Sequence, residues 1–90
     1  MSDGGSGLAE RAVELRTWIA TGQARCLRIA AGLSQAQVAH DCEVSASAVH
    51  RWERGNRLPR GRNVLAYHRF LARLVEQAND GGQRDVDRDL

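Results

Sequence analysis

The chain has 90 residues and a formal net charge of +2, which allows one small domain. A compact part of about 60 residues buries only ~60% of its unfolded surface, enough for several helices around one core but little for a catalytic cleft. No apolar run approaches the roughly 18 residues that a transmembrane helix needs.

The charge is unevenly spread. Residues 1–20 carry a net −1, residues 21–78 a net +5 and residues 79–90 a net −2. The basic excess therefore lies in the middle of the chain, as expected where a domain meets nucleic acid. All 13 basic residues are Arg. This can reflect a GC-rich genome as much as selection, and it supplies planar, bidentate donors suited to phosphate and guanine.

Residues 1–7 are rich in Gly and Ser and are expected to be disordered. They lack the basic and apolar segments of a signal sequence, so the expected location is the cytoplasm. From residue 8 to 20, Leu8, Ala12, Leu15 and Ile19 recur at helical spacing, with Trp18 beside the stripe and Ser6 available as a cap. The stripe is read as core; a dimer contact through Leu15, Trp18 and Ile19 is the alternative. Thr21 is expected to cap a second helix over residues 22–31, with Ala24, Leu27 and Ala31 inward. Gly32 suits the left-handed stop that follows.

The densest pattern is residues 33–55, LSQAQVAHDCEVSASAVHRWERG. Ser34 and Gln37 form a capping box, and Leu33 can staple onto Val38. Ser45 is the N-cap candidate of a second short helix, with Val44 and Val49 at staple positions. The spacing puts Ala36, Val38, Ala39, Val44, Val49 and Trp52 inward. It leaves Ala46, Ser47, His50 and Arg51 outward, a small, polar and basic set suited to base edges and phosphates.

Residues 51–62 then hold five Arg against one acid. Arg54, Arg57, Arg60 and Arg62 surround a Gly- and Pro-containing loop, which reads as a phosphate clamp or as a solvated basic segment. The last helix is expected over residues 62–78. Val64, Tyr67, Leu71, Leu74 and Ala78 line one stripe, flanked by Leu65 and Val75. That face closes the core, and Tyr67, Phe70, Leu71 and Leu74 are the candidates for a dimer surface as well. Residues 79–90 alternate Asp and Arg and are expected to be a disordered tail.

Cys26 and Cys42 are read as small buried thiols, because a reducing compartment disfavours the disulfide that their number allows. His40 and Cys42 are close in sequence, but no third and fourth ligand completes a zinc pattern. No strained nucleophile turn and no phosphate-binding Gly loop are present, so neither an enzyme nor a cofactor is expected.

The order Leu27-Arg28, Gly32-Leu33-Ser34-Gln35, Val38-Ala39, Val44-Ser45, Val49, Trp52-Glu53-Arg54-Gly55 and Pro59 resembles the Cro/C1-type (XRE-like) helix-turn-helix DNA-binding family. The resemblance covers about 40 residues at the family's spacing, as a helix-turn-helix with a helix on either side would. It implies an all-α, five-helix domain of the lambda-repressor-like type over residues 8–78, the first helix being an extension. It implies base contacts from Ala46, Ser47, His50 and Arg51, with a plain phosphate contact as the alternative for Arg51. Phosphate contacts are implied for Gln35 and Ser45, and the exit position of Arg54, Arg57, Arg60 and Arg62 suits the same role.

The resemblance also implies a structural ion pair between Arg28 and Glu53, against a solvated Arg28. A Gly usually stands where this chain has Glu43, so a positive φ there would strain the backbone by ~1 kcal/mol. The implied function is a sequence-specific, double-stranded DNA-binding regulator, a repressor of the phage Cro type. An antitoxin that binds a toxin as well as operator DNA is the alternative, and a protein-interaction module that has lost DNA binding is a third reading. A homodimer, in solution or only on DNA, stays open. Neither a membrane partner nor a small-molecule ligand is expected.

Overall fold

The computed structural model describes the backbone of residues 3–89 and the side chains of residues 7–79. Among these residues five helices follow one another: α1 (Asp3–Thr21), α2 (Gln23–Ala30), α3 (Gln35–Cys42), α4 (Ala46–Arg54) and α5 (Arg62–Asp89). There is no strand among the described residues. Among the described residues, no helix is long and apolar enough to cross a membrane.

The helix ends follow from local chemistry. Ser34 Oγ accepts from the Gln37 amide at 3.0 Å, and Gln37 Oε1 accepts from the Ser34 amide at 2.7 Å. This reciprocal box satisfies two donors that the start of α3 would otherwise leave bare. Ser45 Oγ accepts from the Ala48 amide at 3.1 Å and starts α4 in the same way. Gly55, at φ 74°, ends α4, and the Asn56 amide reaches back to the Arg51 carbonyl at 3.0 Å.

Between α1 and α2 the junction differs from the expected one. Gly22 takes the N-cap position at φ 83°. Thr21 closes α1 by donating its hydroxyl to the Thr17 carbonyl at 2.8 Å, and it accepts only a long 3.4 Å bond from the Gln23 amide. A hydroxyl already turned back along its own helix makes a poor cap for the next.

The helix-turn-helix pair α3–α4 packs on itself and against α5, while α1 and α2 close the other side of α5. Leu15 and Ile19 of α1, Val38, Ala39 and Cys42 of α3, Val49 and Trp52 of α4, and Tyr67, Leu71 and Leu74 of α5 form one buried cluster with Ala24. The Trp52 and Tyr67 rings meet with centroids 4.8 Å apart at 39°, a tilted contact of the kind aromatic pairs favour. Pro59 is buried, which anchors the loop between α4 and α5. On the far side, Trp18 stacks on His68 at 5.1 Å and 12°, and Glu14 Oε1 lies 2.7 Å from His68 Nε2.

Several sequence expectations are corrected. α1 starts ahead of residue 8, so Ser6 lies inside it rather than capping it, and α5 continues past residue 78 through the segment expected to be a disordered tail. Once a helix is nucleated each added residue gains a bond, and no proline interrupts either end. Met1, Ser2 and Leu90 lie outside the described residues. Ala36, Ala31, Ala78 and Leu8 are exposed, not inward. Each stands at the first or last apolar step of its stripe, and Ala31 and Ala78 border one open hollow between α2 and α5.

Cys26 is exposed and only Cys42 is buried, both as free thiols. The candidate dimer faces are occupied internally. Leu15, Ile19, Tyr67, Leu71 and Leu74 are buried within the chain, and Trp18 and Phe70 are half-buried against the same core.

Candidate nucleic-acid interface

α4 is two-sided. Val49, Trp52 and Glu53 are buried, whereas Ala46, Ser47, His50 and Arg51 are exposed. The α-helical period places Ser47 and Arg51 opposite the buried set, with His50 on the flank and Ala46 at the boundary above Glu53. Nine residues at ~1.5 Å rise make a rod of roughly 13 Å, comparable to the ~12 Å width of a DNA major groove.

The buried edge of α4 is held by charge. Arg28 Nε donates to Glu53 Oε2 at 2.6 Å and Nη2 donates to Glu53 Oε1 at 3.0 Å. The Glu53 side chain is only 2% exposed and that of Arg28 13%. Arg28 Nη1 donates to the Leu33 carbonyl at 3.0 Å, so one guanidinium ties α2 to the start of α3 and to α4. The hydrogen bond to Glu53 raises the Arg28 pKa above its ordinary value, against the opposing effect of burial. Nearby, the Tyr67 hydroxyl is buried without a hydrogen-bond partner among the described residues, and burial pushes its pKa up, the Glu53 charge adding to the effect.

Gln35 extends this anchor toward solvent. Its Nε2 donates to Glu53 Oε1 at 3.1 Å and lies 3.4 Å from His50 Nδ1. Arg25, Arg28, Ser34, Gln35, His50, Glu53 and Arg54 line an open hollow of about 550 Å³ where α2, the start of α3 and α4 converge. Three residues expected to meet DNA, Gln35, His50 and Arg54, thus share one depression with the structural ion pair. Arg25 is the member that sequence reading left without a role. Its position one turn before Arg28 on the same short helix was the available signal.

The other arginines are dispersed. Arg57 and Arg60 are exposed on the loop, and Arg60 borders a hollow against α1 with Ala12, Arg16, Leu58 and Pro59. Arg62 is paired with Glu43 at 3.0 Å, both side chains being largely exposed. The expected four-residue clamp is therefore not gathered into one patch. Pro59 folds the middle of the loop inward, and Arg62 starts a new helix facing the α3–α4 turn.

That turn has its own strain. Glu43 sits at φ 61°, ψ 45°, the only non-glycine with positive φ among the described residues. Its amide donates to the His40 carbonyl at 3.2 Å, and the Val44 amide donates to the Ala39 carbonyl at 2.9 Å, which closes α3. The turn geometry is kept even though the residue that would adopt it without cost is absent. No group of three or more His, Cys, Asp or Glu among the described residues is placed to hold a metal ion.

Two short helices joined by a left-handed turn, the second buried on one side and polar-basic on the other, define a helix-turn-helix of the DNA-binding type. A family model described as a helix-turn-helix domain matches residues 21–79, and the chain belongs to that family. The match begins at the last residue of α1, so that helix precedes the family's domain. No curated protein and no solved structure matches the chain at a significant level.

Proposed function

We propose that the protein is a sequence-specific regulator of transcription, a repressor of the Cro type, that reads double-stranded DNA with α4 in the major groove. The single observation that carries the reading is the two-sidedness of α4. Its buried edge is locked to α2 and α3 through Glu53, and Ala46, Ser47, His50 and Arg51 are exposed to solvent.

In this reading Arg51 pairs with a guanine through O6 and N7, His50 contacts a second base, Ser47 donates or accepts weakly, and Ala46 packs against a thymine methyl. Gln35 and Ser45, at the starts of α3 and α4, position the domain on phosphates together with Arg54 and Arg57. Arg60 and Arg62 reach the backbone only from the periphery, and Arg62 must exchange its bond to Glu43 to do so. An antitoxin would share this DNA face and add a protein partner.

Amide chemical-shift mapping on titration with a short duplex tests the reading. Shifts are expected at residues 34–35, 45–51 and 54–57, with α1 and the buried half of α5 unmoved. Shifts centred on α1 and α5, with α4 silent, would reject it.

A further inference from the structure

We propose that Gln35 fixes the tautomer of His50 and so makes this histidine a hydrogen-bond donor toward the bases; the base-reading half of this inference rests on the DNA-reading role of α4 given above. Glu53 is the starting point. Its carboxylate takes two bonds from Arg28, and Oε1 also lies 3.1 Å from the Gln35 side-chain nitrogen. An ionised carboxylate can only accept, so the amide nitrogen of Gln35, and not its oxygen, must face Glu53. That decides the orientation of an amide whose two ends are otherwise alike.

The same nitrogen lies 3.4 Å from His50 Nδ1. An amide nitrogen has only hydrogens to offer, so Nδ1 must present its lone pair. A neutral imidazole with a lone pair on Nδ1 carries its proton on Nε2. The 3.4 Å bond is long and adds little stability. Its effect is a choice between two tautomers of similar energy.

His50 is exposed on the outer edge of α4, and with Nδ1 turned to Gln35 its Nε2–H is left for the ligand. A histidine free to switch tautomer could accept from cytosine N4 or adenine N6 as readily as it donates. Held in this form it donates to guanine N7 or O6, adenine N7 or thymine O4, and does not accept. Arg28, Glu53, Gln35 and His50 therefore form one chain from the buried ion pair to the base edge. Gln35 acts as a positioning residue in it. With both amide hydrogens committed, the phosphate contact of Gln35 passes to its backbone N–H at the start of α3.

Long-range nitrogen–proton correlation spectra of the His50 ring in the free protein test the tautomer directly. The Nε2–H form alone is expected in the wild type, and a mixture in Gln35→Ala. Gln35→Met, which keeps the side-chain bulk, should give the same mixture if the amide is responsible. In duplex selection Gln35→Ala should lower the preference at one base pair by about five-fold, the worth of roughly one hydrogen bond, and leave the others unchanged. The same tautomer population in the wild type and both variants would overturn the inference while leaving the DNA-binding role intact. A fixed tautomer in a protein that selects no DNA sequence would overturn the base-reading role instead.

Discussion

Arg28 and Glu53, 25 residues apart in the chain, meet through two parallel hydrogen bonds of 2.6 and 3.0 Å on the buried edge of α4. This pair fixes how the DNA-facing helix sits on the domain. Removing one partner leaves the other charged and unpaired in the interior, which typically costs about 3–5 kcal/mol. Arg28→Ala is expected to lose stability of that order in urea unfolding. The double variant Arg28→Met/Glu53→Met should lose much less than the sum of the two single changes. Full additivity would show that the pair is incidental.

α1 lies almost wholly ahead of the matched helix-turn-helix domain, yet it supplies core. Leu15 is 2% exposed and Ile19 5%. Leu15→Ala should cost about 2–5 kcal/mol, the range for buried aliphatic truncation. Val13→Ala on the same helix, with Val13 60% exposed, should stay within about 0.5 kcal/mol. Equal small effects at both positions would mean that α1 is dispensable.

Glu43 holds a left-handed backbone at φ 61°. Glu43→Gly removes the Cβ clash and is expected to stabilise the protein by about 0.5–1 kcal/mol, because the gain exceeds glycine's extra entropy in the unfolded chain. The lost pair with Arg62 is exposed and contributes little. Thermal unfolding reads the difference, and a lower Tm for the glycine variant would contradict the argument.

The two thiols should separate chemically. A thiol reagent near neutral pH is expected to modify one site per folded chain, the exposed Cys26, with Cys42 reacting only on unfolding. Burial, with the Asp41 charge adding to it, pushes the Cys42 pKa up from 9.0 to about 11. The folded state therefore keeps a proton that the unfolded state releases. The associated stability is complete below pH 9 and is lost as pH rises from 9 toward 11. Cys42→Ala should flatten that part of the stability–pH curve; an unchanged slope would assign it to another group.

The surface arginines differ in what they should do to DNA binding. Arg57→Ala is expected to weaken binding to all sequences and to lower the salt slope by about one, as loss of a phosphate contact does. Arg51→Ala should cost about 1–3 kcal/mol and relax selection at a guanine position. Identical behaviour of the two would remove Arg51 from base reading.

Much of this was legible in the residues. Ser34–Gln37 and Ser45 announce the helix starts because capping chemistry is local, and Val38, Val49 and Trp52 announce the core because their spacing repeats. The burial of Cys42 and the exposure of Cys26 were not separable, since both lie on short helices whose sides only the packing distinguishes. Glu14, Trp18 and His68 join α1 to α5 across 54 residues between Glu14 and His68, and no local pattern encodes that meeting. The chain from Arg28 through Glu53 and Gln35 to His50 was half visible. The family resemblance gives the ion pair, but the bridge from Gln35 to His50 arises only when α3 and α4 pack together. The arginines of the loop read as one clamp in sequence, whereas buried Pro59 and the Glu43–Arg62 pair distribute them.

The most direct test of the central claim, sequence-specific reading by α4, is selection from a random duplex library at about 150 mM salt, where screening limits backbone-only binding. An enriched motif is expected, two-fold symmetric if the protein acts as a pair and a single half-site if it acts alone. It should lose definition when Arg51 is replaced. No enriched sequence, together with binding that vanishes as salt rises, would contradict the account.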